Sequence, residues 1–211
     1  MDTVGRTATA TRRTASVILV ALLSVLPATG TAQRAHAQVG TQLVITVNFA
    51  DRVRPTGGAY YVAFNTNRAI LLGPQSDSSN WQHYVVYRGG RFFFGAVPAA
   101  PFRPFGFETI RPPDPFAYGQ VLPDGRALRV QVPLGLLQSG PPPVTQVKVN
   151  VVTVDDLLRP IDALGRGLDD RFGFVTLNLL RETYAAFTDP VRDSRDPAFD
   201  ITGGDIQVTT P

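Results

Sequence analysis

Glycine and proline limit this chain before any motif does. The 211 residues include 19 Gly and 18 Pro. Many sit at turns such as Gly57-Gly58, Gly73-Pro74, Gly89-Gly90 and Pro123-Asp124-Gly125. Proline removes a backbone donor and clashes with the preceding helical turn, and glycine weakens a helix interior. The segments between these breaks are rich in β-branched and aromatic residues: 42–49 (QLVITVNF), 60–65 (YYVAFN), 144–154 (VTQVKVNVVTV), 174–180 (FVTLNLL) and 206–210 (IQVTT). Such runs bounded by turn residues read as strands. Residues 69–72 add a short run, and 120–122 with 127–132 flank a hairpin turn at Pro123-Asp124-Gly125. Helix is confined to one 3₁₀ turn at 133–137 and a short stretch at 156–164, where Asp155-Asp156 would cap it and Pro160 would interrupt it. The pattern predicts an all-β chain with little helix. It would form a single antiparallel two-sheet sandwich, jelly-roll or immunoglobulin-like.

The N-terminus has a different composition. Arg12-Arg13 precedes an apolar run at 15–26 (ASVILVALLSVL). That length suits a secretory h-region and falls short of the roughly 20 apolar residues that a membrane span needs. Ala35-His36-Ala37 fits a small-x-small cleavage site, so residues 1–37 are expected to be a signal peptide and 38–211 the mature domain. The expected location is outside the cytoplasm: periplasmic, extracellular or cell-surface. The full chain carries 20 Lys+Arg and 17 Asp+Glu. Four arginines and one aspartate lie in 1–37, which leaves sixteen of each sign in the mature part. A balanced chain with no basic run is no candidate for nucleic acid. There is no cysteine, so stability must come from packing, with a structural calcium ion as a possible aid. No membrane span is expected in the mature part.

Residues 81–95 (WQHYVVYRGGRFFFG) hold the only Trp of the chain. With Gly89-Gly90 as a two-residue turn, Arg88 pairs with Arg91, Tyr87 with Phe92, Val86 with Phe93 and Val85 with Phe94. Alternation puts Trp81, His83, Val85, Tyr87, Phe92 and Phe94 on a core face. It puts Gln82, Tyr84, Val86, Arg88, Arg91 and Phe93 on a mixed face. Aromatic rings stack on sugars and Arg donates to hydroxyls, which makes Trp81, Tyr84, Arg88, Arg91 and Phe93 the candidate ligand-binding residues. The competing reading is an outer sheet face covered by the long Pro- and Phe-rich connection at 97–118. Two arginines directly opposite each other repel, so an acidic neighbour, stacking or a ligand is expected there.

Catalytic chemistry is poorly provided for. The mature part has one histidine, His83, which alternates with apolar residues and reads as a satisfied sheet histidine rather than a base. One His and no Cys cannot make a two-His or thiolate metal site. There is no G-x-S-x-G motif. Only Glu108 and Glu182 are glutamates, and nothing marks a carboxylate pair for glycoside hydrolysis. No enzyme is expected. Asp189, Asp193, Asp196 and Asp200 cluster in TDPVRDSRDPAFD, and carboxylates in a tight loop are what Ca²⁺ prefers. These four are the candidate metal ligands, although their spacing is not that of an EF-hand and Arg192 and Arg195 intervene.

Three segments together resemble a known group: Phe64-Asn65-Thr66-Asn67 at a strand end, Tyr84-Val85-Val86, and Arg129-Val130-Gln131-Val132-Pro133-Leu134. They are similar to the DOMON-like, family-9 carbohydrate-binding-module-like exported bacterial β-sandwiches, over roughly residues 42–165. The resemblance implies a jelly-roll-like sandwich and glycan binding. The late segment DPVRDSRDPAFDITGGDIQV is similar to an acidic segment that usually begins a domain in that group, so its place at the end is a departure. Haem ligation through His and Met, known in some DOMON domains, is not carried over because the mature part has no Met. The expected partner is a glycan or another cell-envelope component. The alternative is a structural or protein-interaction module.

Overall fold

The computed structural model describes residues 40–98, 104–139 and 143–210. The expected signal peptide and its cleavage site lie outside them. The elements, in order, are β1 (Gln42–Phe49), β2 (Gly58–Asn65), β3 (His83–Arg88), β4 (Arg91–Ala96), a one-turn helix α1 (Phe107–Ile110), β5 (Asp114–Pro115), β6 (Gly119–Val121), β7 (Ala127–Pro133), a 3₁₀ turn (Leu134–Leu137), β8 (Gln146–Asp155), β9 (Pro160–Ala163), β10 (Val175–Asn178), β11 (Tyr184–Thr188) and β12 (Ile201–Thr209).

These strands make two antiparallel sheets packed face to face, an all-β sandwich with no closed barrel. One sheet runs β11-β12-β1-β7-β6; the other runs β10-β8-β2-β3-β4-β5, with β9 also on β8. The inner faces alternate as a half-buried strand requires. Leu43, Ile45 and Val47 of β1 and Val147, Val149 and Val151 of β8 point inward and are almost fully buried, together with Tyr60, Phe64 and Phe199. No helix among the described residues is long and apolar enough to cross a membrane.

The hairpin at Gly89-Gly90 has the register that the sequence predicts, from Arg88 opposite Arg91 to Val85 opposite Phe94. Both glycines have left-handed φ, +57° and +76°, so L-side chains there would be strained. Elsewhere local pattern and structure differ. Residues 69–72 are irregular, leaving a turn at 68–69, and do not form a strand. The stretch 156–164 is not helical: Asp155 closes a turn by accepting from the N–H groups of Leu157 and Arg159 (both 2.9 Å), and Pro160 opens β9 instead of interrupting a helix. At the start of a short outer strand proline's missing donor costs little. The sequence reading omits β11. It also starts the last strand five residues late, because Gly203-Gly204 looks like a break. In fact a Cβ at Gly204 would meet the Thr46 carbonyl oxygen at 2.0 Å, so glycine is what lets β12 lie against β1. In the described part of the Phe-rich connection, Phe105, Phe107, Glu108 and Phe116 are buried against the sandwich.

Candidate functional site

The outer face of the larger sheet is covered, not open. Tyr61 from β2 and Tyr84 and Val86 from β3 project outward, and residues 105–108 lie over them. The ring of Phe105 is 5.2 Å from Tyr61 and 5.3 Å from Trp81, and Phe107 is 5.2 Å from Tyr84. Phe105 has a left-handed φ of +49°. Its N–H donates to the buried Ser78 hydroxyl at 3.0 Å, which helps hold that uncommon conformation. Tyr84 lies across Gly95, where a Cβ would meet its ring at 2.2 Å. At one end of the layer the Tyr61 hydroxyl donates to Glu108 Oε1 at 2.6 Å, and the Arg88 guanidinium donates to Glu108 Oε2. Glu108 is therefore the acidic neighbour that relieves the Arg88–Arg91 repulsion. Burial, reinforced by the Glu108 carboxylate, pushes the Tyr61 hydroxyl far above its usual pKa.

This covering removes two residues from the expected platform. Tyr84 is 0% exposed and Trp81 5%, so no ligand can stack on their faces. Trp81 also leaves the predicted core face. Asn80, at φ +61°, breaks the alternation before β3 begins at His83, and Trp81 joins the outer cluster with its indole N–H donating to the Gln75 carbonyl at 2.7 Å. His83 does sit on the inner side, stacked on Phe94 at 5.7 Å. Burial lowers its pKa. Its Nδ1 is buried with no hydrogen-bond partner, so it is not the fully satisfied histidine expected from the sequence.

Arg88, Arg91 and Phe93 do come together. They line a groove of about 770 Å³ at one end of the larger sheet, where the β3–β4 turn meets Pro55 to Ala59 before and within β2 and the turn after β8 with Asp155, Asp156 and Leu158. Arg88 is committed to Glu108 and lies 5.8 Å from the Phe93 ring centroid. Asp155 is committed to Arg159 at 2.6 Å, and hydrogen bonds from the Arg159 backbone and side chain hold its carboxyl below the usual range. Arg91 and Asp156 are exposed, and among the described residues neither side chain has an ion-pair or hydrogen-bond partner. The groove thus offers one free cationic donor, one free anionic acceptor and one aromatic ring.

The late aspartates do not form one ligand set. Asp196 makes a two-pronged pair with Arg54, both contacts 2.9 Å. Asp200 is buried and accepts from the backbone N–H groups of Arg192 (2.9 Å) and Ser194 (3.4 Å). Asp189 and Asp193 meet a residue that the sequence reading missed, Asp162 of β9. One carboxylate oxygen from each of the three lies within 4.8 Å of the other two. No local signal identifies Asp162; it comes near through the pairing of β9 with β8 and the path of the chain into β12.

No protein-family model, curated protein or solved structure matches the chain. Both sites are therefore read from their own residues.

Burial raises the Asp162 carboxyl to about 7 and the Asp189 carboxyl to about 8; neighbouring carboxylates add to both shifts. A folded-state pKa above the unfolded one means that the native state keeps protons which the unfolded chain has released. The stability contribution is complete below the unfolded pKa near 4 and is lost as pH rises through 7 to 8. In chelator-treated buffer the unfolding free energy from urea titration is expected to fall between pH 5 and 8.5, by an amount on the order of 3 kcal/mol. A flat or rising profile over that window would count against the assignment.

Proposed function

We propose that the protein is an exported, non-catalytic β-sandwich that binds a carbohydrate or another polyhydroxylated cell-envelope component in the groove beside the β3–β4 turn. The observation that carries this reading is the trio of Arg91, Asp156 and Phe93 on the walls of one groove, with both charges unpartnered. A sugar presents adjacent hydroxyls, which accept from a guanidinium and donate to a carboxylate, and an apolar face that rests on a ring. Arg88 acts here as a support that fixes the Phe93 wall through its pair with Glu108. Resemblance to carbohydrate-binding-module-like sandwiches points the same way, and the composition of residues 1–37 supports export.

The test is affinity electrophoresis of the purified protein through gels containing different soluble polysaccharides. One or more glycans should retard it. The Arg91→Ala and Asp156→Asn double variant should lose about tenfold or more in affinity while its melting temperature stays close to the parent's, since exposed substitutions away from packing contacts are usually within about 0.5 kcal/mol. Retardation unchanged in the double variant would remove the groove from the reading. No retardation by any glycan would favour a protein-interaction module.

A further inference from the structure

The aspartate cluster carries an inference separate from the groove. We propose that Asp162, Asp189 and Asp193 form a calcium site that joins the edges of the two sheets, with the buried Asp200 carboxylate beside it. Asp162 belongs to β9 on the larger sheet. Asp189 follows β11 of the smaller sheet directly, and Asp193 and Asp200 lie in the segment that leads into β12.

Proximity of carboxylates alone would not justify an ion. The second observation is the state of Asp189. Its side chain is buried, with the residue 6% exposed. The Gly165 N–H occupies Oδ1 at 2.7 Å, and Oδ2 is buried with no hydrogen-bond partner at all. A buried carboxylate oxygen without a partner is costly, and an ion or water beside it is one of the few arrangements that offset that cost. The charged groups acting most strongly on Asp189 are Asp162, Asp193 and Asp200, all of its own sign.

No cationic side chain among the described residues answers this charge. Among the described residues, no Arg or Lys side chain forms a salt bridge with any of the four aspartates. Arg192 contributes its backbone N–H to Asp200, not its guanidinium. Arg166, in the loop beside Gly165, acts on Asp170. Arg54 is held by Asp196. Either protons or a bound cation must offset the repulsion.

The chemistry favours calcium among cations. The donors are all oxygen, which suits hard cations and offers zinc or copper neither nitrogen nor sulfur. Calcium–oxygen distances of roughly 2.3–2.6 Å let one ion touch three oxygens spread over as much as 4.8 Å. Magnesium prefers shorter bonds in a strict octahedron and keeps several waters. Asp193 is exposed while the other two are buried, so it forms the solvent side through which an ion enters. Backbone carbonyls and water would complete the coordination. Carboxylates bind an ion in their deprotonated form, so affinity should rise with pH.

The experiment uses the full chain, stripped with EDTA and dialysed, with CaCl₂ or MgCl₂ titrated by calorimetry at pH 6 and pH 8 and thermal melts run in parallel. The expected result is one-to-one calcium binding, tighter at pH 8 and accompanied by a saturable rise in melting temperature. Asp189→Asn keeps an acceptor for the Gly165 N–H, so it should fold. It should bind calcium at least about tenfold more weakly, while its ion-free melting temperature at pH 8 equals or exceeds the parent's because one buried charge is gone. Asp196→Asn should leave binding unchanged. No binding of either ion at millimolar concentration, or equal binding by the parent and Asp189→Asn, would overturn the site. Magnesium bound as tightly as calcium would overturn the choice of ion. Loss of binding in Asp196→Asn equal to that in Asp189→Asn would overturn the ligand set.

Discussion

Phe105→Ala is expected to destabilise the protein by about 3–5 kcal/mol, the range for truncating a fully buried aromatic ring. At this chain length each kcal/mol moves the melting temperature by about 2–4 °C, so the midpoint should drop by roughly 6–20 °C. Phe105 is 0% exposed, and its ring wedges between Tyr61 and Trp81. Among the described residues, the rings of Tyr61, Trp81 and Phe107 around it belong to the same packed layer, and Ser78 fixes its backbone. The loss would fall mainly on the outer layer. Trp81, the only tryptophan, should show red-shifted emission in the variant before the far-ultraviolet signal of the sheets changes. A midpoint within about 1 kcal/mol of the parent, with unshifted emission, would mean that residues 104–110 are not the cover described above.

The second large effect is expected at Glu108. It is 5% exposed and accepts from both Tyr61 and Arg88. Glu108→Ala leaves the Tyr61 hydroxyl buried without a partner and the Arg88 guanidinium without a counter-charge. Breaking a fully buried pair by removing one partner costs about 3–5 kcal/mol. The Arg88 side chain is 38% exposed and water recovers part of that, so about 2–4 kcal/mol is expected. Glu108→Gln keeps an acceptor for Tyr61 and gives up only the charge; it should lose roughly half as much. Urea unfolding of the two variants side by side measures the difference. Equal losses would show that the charge on Glu108 carries the whole contribution and that the acceptor kept by Gln adds nothing to it.

The parts of this structure that were legible in the sequence are those set by neighbours along the chain. Gly89-Gly90 needs only its own backbone freedom to turn, and from that turn the pairing of β3 with β4 follows residue by residue. Alternation then places Val85, Tyr87, Phe92 and Phe94 against the core correctly. It fails at Trp81 because a left-handed Asn80 lies between that residue and any regular strand. Tyr84 was legible as an outward residue but not as a covered one, since its cover comes from Phe105 and Phe107, beyond a proline-rich connection with no period of its own. The acidic segment misled for a similar reason. Asp196 is claimed by Arg54 from the other end of the chain, and Asp162 enters from a strand hidden behind Pro160. Arg91 and Asp156 line one groove only because β8 and the β3–β4 hairpin flank the same strand, β2, and reach the same end of the sheet.

The place of β1 has a consequence for how the protein is made. It is hydrogen-bonded to β7 on one side and to β12 on the other, with Gln42 opposite Thr209. Among the described strands, the first to be synthesised therefore waits for the last. Such distant pairing makes folding slow, because a very long loop must close before the contact repays it. The smaller sheet stays incomplete during synthesis until β12 has followed β1, and through that interval the side of β1 that later takes β12 has no strand beside it.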